Sequence, residues 1–369
     1  MFLLKITKLS KSSAIYFLLI FAPIAVALEF VNAADHLVLF VISSLALIPL
    51  AKLIGDSTEH LSTHYGTTLG SLLNVTFGNA AELIIATVAI SAGLLDLVKA
   101  SITGAILGNI LLIFGLSILV GGFRYKEQFF NRENAGFQSS MLFLAIIGLA
   151  VPTILFGTVL APVDIENQTN IQILSDALAF LLLAVYVAGI VFTFFTHKHL
   201  FVQAHSEEDA GEQYHKHWTK KKSFLMLGLS MVGVIAVSEV LVGSVEETSK
   251  QFGFGELFVG AIIVGIVGNA AEHSSAVVLA RKGKIDLSIG IAAGSGTQIA
   301  LFVVPILVII GITMGQPFTL VFTLFEIAAV LLAAIILNLI AHDGKSNWFE
   351  GVMLTAVYII IALGFFFIN

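Results

Sequence analysis

The sequence predicts an all-α polytopic membrane protein with eleven transmembrane helices, arranged as one N-terminal helix followed by two inverted five-helix repeats. Three observations predict this fold class. The chain of 369 residues is 58% hydrophobic and only 11% charged, whereas a soluble domain carries about a quarter charged residues. Its apolar runs are close to the ~20 residues that a helix needs to cross a bilayer. A five-residue motif, Gly-Asn-Ala-Ala-Glu, occurs twice within such runs.

The apolar runs give the positions of the spans. Their length and continuity favour helices, because the strands of a membrane barrel would be ~10-residue alternating segments. The first run follows three lysines and also resembles a secretory signal peptide, but its length favours a retained helix. The predicted spans are 14–31, 37–54, 67–92, 98–120, 137–156, 175–195, 224–242, 257–279, 286–310, 318–340 and 348–367.

The basic residues predict the orientation of these spans. With the N-terminus in the cytoplasm, sixteen lysines and arginines fall in inside segments, and only Lys99 and Lys250 fall outside. This bias places the C-terminus outside. It predicts a multi-pass protein of the inner (plasma) membrane, surrounded by the lipid bilayer.

The two halves of the chain repeat each other. A shift of 190 residues aligns the motif at 78–82 with its copy at 268–272, and it also pairs Gly93 with Gly283. Each repeat has five spans, an odd number, so the halves must have opposite orientations, which is typical of secondary transporters. The predicted divisions are the N-terminal helix 1–32, the first repeat 33–196, a cytoplasmic linker 197–222 and the second repeat 223–369.

The linker is the long polar stretch between the repeats. It contains five histidines and an acidic group formed by Glu207, Glu208, Asp209 and Glu212. A solvated connector explains this composition. A regulatory sensor of cations or protons is the alternative, because carboxylates bind Ca²⁺ and histidines titrate near neutral pH.

Each copy of the motif places a carboxylate within a span. An ionised glutamate at the centre of a span costs ~2.5–3.5 kcal/mol on insertion scales, so a bound cation, a partner or a proton must compensate Glu82 and Glu272. The Asn-x-x-Glu spacing places Asn79 and Asn269 on the same helix faces as these glutamates. Opposed across an inverted interface, the two copies would offer two carboxylates and two amide oxygens to one point.

This set of oxygen ligands suits a hard divalent cation such as Ca²⁺. Gly78 and Gly268 permit local unwinding of the helix, which would add backbone carbonyls to the site. Without a cation, two facing carboxylates repel each other and favour proton uptake. The pair would therefore hold either one divalent ion or protons, which is the basis of an exchanger. Ca²⁺ is then a transported substrate, and no cofactor is predicted.

Other polar residues within the spans are weaker candidates. Asn109 and Gln298 either line the cation path or cross-link helices. His273 either relays protons and tunes the site or makes a structural hydrogen bond. Glu239 and Glu326 are each a proton site or the end of a buried hydrogen bond, and Glu239 ranks higher because its span begins the second repeat.

The duplicated motif, with His273 after its second copy, resembles the calcium/proton exchangers of bacterial type, the CAX branch of the cation/calcium exchanger superfamily. Support comes from Gly-Ser-Gly-Thr-Gln at 294–298 and from the segment 343–351 before the last span. The resemblance covers essentially the whole chain.

This resemblance implies eleven helices, with the first outside a five-plus-five core, and Ca²⁺ export driven by the proton gradient. It also implies that Glu82 and Glu272 are the principal ligands, assisted by Asn79 and Asn269.

Alternative functions differ in how well they fit. An exchanger driven by Na⁺, with or without K⁺, would use the same fold. A cation channel is disfavoured by the inverted repeat and the paired titratable groups, and an enzyme by the lack of an HExxH motif or a phosphate loop. A net charge of −6 without a basic tract excludes nucleic acid as a partner. A homo-oligomer is compatible with the sequence.

Overall fold

The computed structural model describes residues 15–65, 67–156, 165–197, 200 and 218–368. Within these ranges, nine helices are long and apolar enough to cross a membrane, and a bent helix pair, Glu256–Ala270 with Glu272–Arg281, would be a tenth span. A shorter apolar helix precedes them. The prediction of a helical polytopic membrane protein is confirmed at this level. Most of the predicted linker, including its acidic group at 207–212, lies outside the described residues.

Seven helices lie in the described part of the first half of the chain. The third predicted span consists of two of them, because the chain turns at Gly78 and Asn79. The seven are α1 (Ile15–Phe30), α2 (His36–Tyr65), α3 (Thr67–Phe77), α4 (Ala80–Ser91), α5 (Leu95–Gly122), α6 (Arg132–Ile154) and α7 (Ile165–Val191).

The described part of the second half contains five long helices, with a shorter helical stretch at 256–264 between the first and the second of them, and a short antiparallel pair joins the two halves. Strand β1 (Gln128–Phe129) follows α5 and pairs with β2 (Lys345–Ser346), which precedes the last helix. The five helices are α8 (Lys220–Phe252), α9 (Gly265–Arg281), α10 (Ile285–Met314), α11 (Leu324–Ala341) and α12 (Trp348–Phe367).

Helices α2 and α8 are longer than the apolar runs that predicted them. Helix α2 continues past residue 54 to Tyr65, and α8 continues past residue 242 to Phe252, where Gly253 closes it in the left-handed conformation at φ 66°. The extensions contain hydroxyl side chains that bond to the helix itself, as Ser57 Oγ does to the Leu53 carbonyl at 2.6 Å. Hydropathy marks only the apolar part of a helix, whereas the backbone hydrogen bonds continue beyond it.

The start of the tenth predicted span, 318–323, is not helical. Its backbone is satisfied by side chains, because the Leu320 N–H donates to Ser175 Oγ and the Phe322 N–H donates to Thr153 Oγ1, each at 3.0 Å. Buried non-helical backbone needs such partners in a membrane protein. The predicted helix therefore begins later, at Leu324.

Helix α11 begins with a capping box. The Thr323 N–H donates to Glu326 Oε2 at 2.8 Å, and the Glu326 N–H donates to Thr323 Oγ1 at 3.2 Å. Thr103 Oγ1 of α5 donates to the other carboxylate oxygen at 3.3 Å. Of the two roles predicted for Glu326, the structure supports the buried hydrogen bond.

The two halves cross closely in the core. A side-chain carbon at Gly104 of α5 would lie only 1.8 Å from the carbonyl oxygen of Ala261, so this crossing requires glycine. Three π-helical segments surround the crossing: Gly108–Ile113 in α5, Val259–Val264 before α9 and Ile299–Val303 in α10. Such segments frequently mark functional sites.

Two glycines paired by the sequence repeat have the same backbone conformation. Gly93, in the turn between α4 and α5, has φ 79°, and Gly283, in the turn between α9 and α10, has φ 81°. Only glycine adopts this region without strain. Both turns thus have the same local requirement at matched positions of the two halves.

Candidate functional site

The two copies of the motif occupy different local structures. The first lies at the turn between α3 and α4, where Asn79 is the N-cap of α4 and the Gly78 N–H donates to the Asn74 carbonyl at 2.7 Å. The second lies within α9, in the region of the 67° bend between Ala270 and Glu272. Local unwinding, predicted for both glycines, is therefore present as a turn at Gly78, while Gly268 remains in helix.

Each glutamate lies against the glycine of the other copy. A side-chain carbon at Gly78 would be 3.8 Å from Glu272 Oε1, and one at Gly268 would be 3.6 Å from Glu82 Oε1. The structure thus brings together the two motifs, which are far apart in the sequence.

A cavity of about 890 Å³ exposes both carboxylates. It continues along the C-terminal half of α2, and its polar lining includes Lys52, Asp56, Glu59, Thr63, Asn74, Glu82, Glu272 and Ser275. A second, much smaller cavity of about 20 Å³ touches Glu82 from the side of α5 and is otherwise lined mainly by apolar residues. It has room for about one water molecule. The site is therefore open on the side of the larger cavity.

The amide side chains form bonds between the two halves. Asn79 Nδ2 donates to Gln298 Oε1 at 2.8 Å, and Asn109 Nδ2 donates to Asn269 Oδ1 at 3.2 Å and to Ser295 Oγ at 3.3 Å. Each motif asparagine is thus bonded to an amide of the opposite half. Asn109 and Gln298 cross-link helices at the site, one of the two roles predicted for them.

Several buried oxygens at the site have no hydrogen-bond partner within the described structure. They are Oδ1 of Asn79, Oδ1 of Asn109, Oε2 of Glu82 and Oε2 of Glu272. Buried polar atoms are nearly always paired in folded proteins. Side-chain oxygens of this kind are the ligands that hard cations prefer.

The two asparagines are not equivalent in this arrangement. Asn79 donates its nitrogen to Gln298 and keeps its oxygen unpaired. Asn269 donates its nitrogen to the Gly265 carbonyl at 3.1 Å, and its oxygen already accepts from Asn109. The Asn79 oxygen therefore has both acceptor positions unused, whereas the Asn269 oxygen already uses one of its two.

Ser295 is a functional candidate that the sequence analysis missed. It accepts a hydrogen bond from Asn109 Nδ2, the same nitrogen that donates to Asn269 Oδ1. Its motif, Gly-Ser-Gly-Thr-Gln, was recognised, but only Gln298 was singled out from it. The sequence does carry a signal for Ser295, because its hydroxyl lies one helical turn before Gln298 and hence on the same helix face.

Asp56 and Glu59 are two further acidic residues that the analysis missed, and both line the larger cavity. Asp56 is bonded to Lys52 at 2.9 Å and accepts a hydrogen bond from the hydroxyl of Tyr16 in α1. Their i, i+3 spacing places both side chains on one face of α2. A hydropathy analysis does not reveal this pattern, because the apolar run ends at residue 54.

His273 is buried on α9, and its Nε2 has no hydrogen-bond partner within the described residues. Its ring packs towards α5, since a side-chain carbon at Gly108 would lie 3.8 Å from Cε1. It is not among the residues that line the larger cavity. The structure thus places it beside the π-helical segment of α5 rather than at the opening of the site.

The structure does not bring Glu239 to this site. It lies on the exposed side of α8 and is not among the residues lining the cavity. Val237 and Leu241, each two positions away, are buried. Two positions correspond to about 200° on an α-helix, so Glu239 points away from the core. Glu239 thus does not line the larger cavity, and its role as a proton site stays a prediction.

No group of three or more His, Cys, Asp or Glu side chains able to hold a metal ion occurs within the described ranges. The site instead consists of two carboxylates with amide and hydroxyl groups between two halves of a helical membrane protein. This combination defines a protein class that handles hard cations within the bilayer.

The sequence comparison identifies the family. The model of the sodium/calcium exchanger protein family matches residues 35–195 and 222–367, and the chain belongs to this family. It is 43% identical to a Ca²⁺/H⁺ antiporter of Aphanothece halophytica, covering 97% of this chain and 98% of the relative. It is 41% identical to the Ca²⁺/H⁺ antiporter ChaA of Bacillus subtilis, with 95% and 99% covered.

Solved structures agree with this family. The structure of native YfkE matches with a TM-score of 0.81 and 38% identity, covering 95% of this chain and 99% of that one. The crystal structure of the H⁺/Ca²⁺ exchanger CAX matches with a TM-score of 0.69 over 96% and 90% of the two chains. At 17% identity, the second likeness shows the fold alone.

Proposed function

We propose that this protein is a secondary active antiporter that exports Ca²⁺ from the cytoplasm in exchange for H⁺, and that it is not an enzyme. The observation that carries the proposal is the pair of buried carboxylates, Glu82 and Glu272, with unpaired oxygens at one cavity. Relatives that match nearly the full length are Ca²⁺/H⁺ antiporters by name. Family, site and relatives support the same function.

Ca²⁺ and protons compete for the two carboxylates. Two ionised carboxylates balance the charge of one divalent cation, and 6–8 oxygen ligands at 2.3–2.6 Å satisfy Ca²⁺. When Ca²⁺ leaves, two facing carboxylates in a poorly solvated site repel each other, and protons relieve that repulsion. Bound Ca²⁺ displaces the protons from the carboxylates, and bound protons displace Ca²⁺. The movements of the two ions are therefore coupled.

The structure supports specific roles for the surrounding residues. Asn79 supplies a neutral oxygen, and Gln298 orients it by accepting from its nitrogen. Asn269 supplies a second neutral oxygen, which also accepts a hydrogen bond from Asn109 and so has one acceptor position left for the cation. The backbone carbonyl of Gly78, which lies in a turn, adds a further oxygen, whereas that of Gly268 joins only if α9 unwinds locally, and His273 acts in proton transfer next to the site.

The proposed architecture is one N-terminal helix, 1–32, and two inverted five-helix repeats, 33–196 and 223–369, joined by the linker 197–222. The matched glycines in the turns after α4 and α9 support this layout. The pairing of each motif with an amide of the opposite half supports it as well. Eleven spans also explain the split of basic residues between inside and outside segments.

The proposed orientation determines the side of the membrane to which the cavity opens. With the N-terminus in the cytoplasm of a plasma membrane, the C-terminal end of α2 is cytoplasmic, and so is the opening of the cavity that it lines. The chain then adopts a state that receives Ca²⁺ from the cytoplasm. The small cavity near Glu82 lies on the path to the outside, which is closed in this state.

Transport into sealed vesicles tests the function. A pH gradient imposed across inside-out vesicles should drive Ca²⁺ uptake, whereas a Na⁺ gradient, with or without K⁺, should not. If the Na⁺ gradient drives uptake and the pH gradient does not, the protein is a Na⁺-driven exchanger on the same fold. Uptake that only follows the Ca²⁺ gradient, without proton counter-movement, would indicate a channel.

A further inference from the structure

A group of basic and aromatic side chains lies where the end of α2 meets the start of α8, outside the carboxylate site. The Trp218 ring stacks on His60 with centroids 4.7 Å apart. The Trp218 carbonyl is hydrogen-bonded to His64 Nε2 at 2.8 Å. These two contacts hold Trp218, two positions before the start of α8, against the last turns of α2.

Two lysines at the start of α8 are held over aromatic rings. Lys220 Nζ lies 4.6 Å from the ring centroid of Tyr65, and Lys222 Nζ lies 4.3 Å from that of Trp218. Such contacts fix an ammonium group in place without neutralising its charge. Together with the exposed Lys221, these residues form the lysine cluster.

The lysine cluster has no acidic partner within the described part of the chain. The ion pairs found there join other lysines, Lys52, Lys99 and Lys250, to acidic residues close to them in the sequence. Three adjacent positive charges, two of them with fixed positions, therefore face outwards without a carboxylate. This concentration of positive charge would attract an anion of fitting size.

The helix surface beside the cluster changes from charged to apolar. Within one turn of the lysines the helix surface becomes apolar, with Phe224 53% exposed and Leu225 61% exposed. Tyr65, 40% exposed, lies beside them at the end of α2. Lysines and aromatic rings at the end of an apolar span are typical of the membrane interface.

We propose that the lysine cluster, with Trp218 and Tyr65, binds the phosphate of an anionic phospholipid headgroup. The ammonium groups would donate to the phosphate, while the acyl chains cover Phe224 and Leu225. In the proposed orientation this is the cytoplasmic leaflet, whose anionic lipids attract clustered lysines. The occupant is a lipid rather than a soluble anion, because the charged and the exposed apolar surfaces adjoin.

A bound headgroup would hold α2 and α8 together. The two helices form an extensive contact, and α2 lines the cavity that leads to Glu82 and Glu272. A ligand that bridges their cytoplasmic ends stabilises the arrangement that it binds. Anionic lipid should therefore raise the melting temperature and change the rate of transport.

The test uses the full-length protein purified in neutral detergent and titrated with phosphatidylglycerol or, separately, phosphatidylcholine. The melting temperature of the wild type should rise with phosphatidylglycerol only. The triple variant Lys220→Gln, Lys221→Gln, Lys222→Gln should lose more than half of that rise. A control variant with Lys126→Gln, Arg281→Gln and Lys282→Gln removes three charges from other inside segments and should keep it.

The proposal is overturned if both triple variants lose the rise equally, because the effect would then be general attraction to charge. It is also overturned if inorganic phosphate reproduces the rise, or if neutralising Glu207, Glu208, Asp209 and Glu212 abolishes the difference between the variants. In the last case the linker is the partner of the lysines. Transport in liposomes of both compositions supports the proposal if only the lysine variant loses the dependence on anionic lipid.

Discussion

At the scale of single residues, the two copies of the motif have the same sequence, but their asparagines make different hydrogen bonds. Both motif asparagines bond to the opposite half, but only Asn79 keeps an unpaired oxygen. The two partners, Gln298 and Asn109, are 219 and 160 residues away in the sequence. An alignment of the repeat suggests that the halves contribute equally, while the hydrogen bonds give them different roles.

This difference predicts unequal effects of two matched substitutions. Asn79→Ala removes an available ligand and should raise the Ca²⁺ concentration for half-maximal transport about tenfold, as a loss of about 1.4 kcal/mol would do. Asn269→Ala removes an oxygen that is already bonded, so it should raise that concentration less and lower the melting temperature more. Equal effects of both variants on Ca²⁺ dependence would contradict this assignment. Ca²⁺ uptake and thermal unfolding are measured on the same preparations.

Glu239 provides a second prediction at this scale. Because its side chain lies on the exposed side of α8, Glu239→Gln should leave both the maximal rate and the pH dependence of Ca²⁺ uptake unchanged. A loss of transport with normal insertion into the membrane would show that this face takes part in the cycle. Glu82→Gln, measured in parallel, supplies the inactive reference.

Part of the site could be predicted from sequence, and the reasons for the rest are physical. Glu82, Glu272 and their asparagines are visible because charge within an apolar run is costly and therefore stands out. Asp56 and Glu59 line the same cavity but lie beyond the apolar run, where acidic residues are common. Contacts between residues of different helices, such as those of the amides, have no periodic signature in the chain.

At the scale of secondary-structure elements, hydropathy locates the spans but not the ends of the helices. Helices α2 and α8 continue beyond the apolar runs, because hydroxyl groups and a left-handed glycine satisfy their polar ends. The reverse holds before α11, where apolar residues form a non-helical segment bonded to Thr153 and Ser175. Local hydroxyl groups and a glycine decide the first outcome, and side chains from distant helices decide the second.

The close crossing of α5 and the segment before α9 predicts a position-specific effect of an added methyl group. Gly104→Ala would place a carbon 1.8 Å from the Ala261 carbonyl oxygen and should separate the halves, lowering both melting temperature and transport. Gly228→Ala in α8 meets no atom within 4 Å. It should leave transport unchanged and stabilise the helix by up to about 1 kcal/mol. If Gly104→Ala melts like the wild type, the crossing is looser than described.

At the scale of the whole molecule, one access path is open and the other is closed. The larger cavity, of about 890 Å³, reaches both carboxylates along α2, while the smaller cavity beside α5 has a volume of about 20 Å³. In the proposed topology these are the cytoplasmic and outer paths of an alternating-access cycle. Such transporters expose a fixed midplane site to one side at a time.

Cysteine labelling tests this arrangement, and the chain has no native cysteine to remove. Thr63→Cys, on the larger cavity, should react with a membrane-impermeant maleimide in inside-out vesicles and not in right-side-out vesicles. Ser101→Cys, on the small cavity, should react slowly in both. Labelling of Thr63→Cys from the outer face would reverse the proposed orientation.

The central claim is that Glu82 and Glu272 bind the transported cation. Glutamine preserves the size of each side chain and removes the charge that balances Ca²⁺, so the direct measurement is transport and melting temperature of Glu82→Gln and Glu272→Gln on the same purified samples. We expect Ca²⁺ uptake driven by a pH gradient to fall to background in both variants. Their melting temperatures should stay at or above that of the wild type, because a costly buried charge has been removed. Unstable variants whose folded fraction still transports at the normal rate would contradict the account.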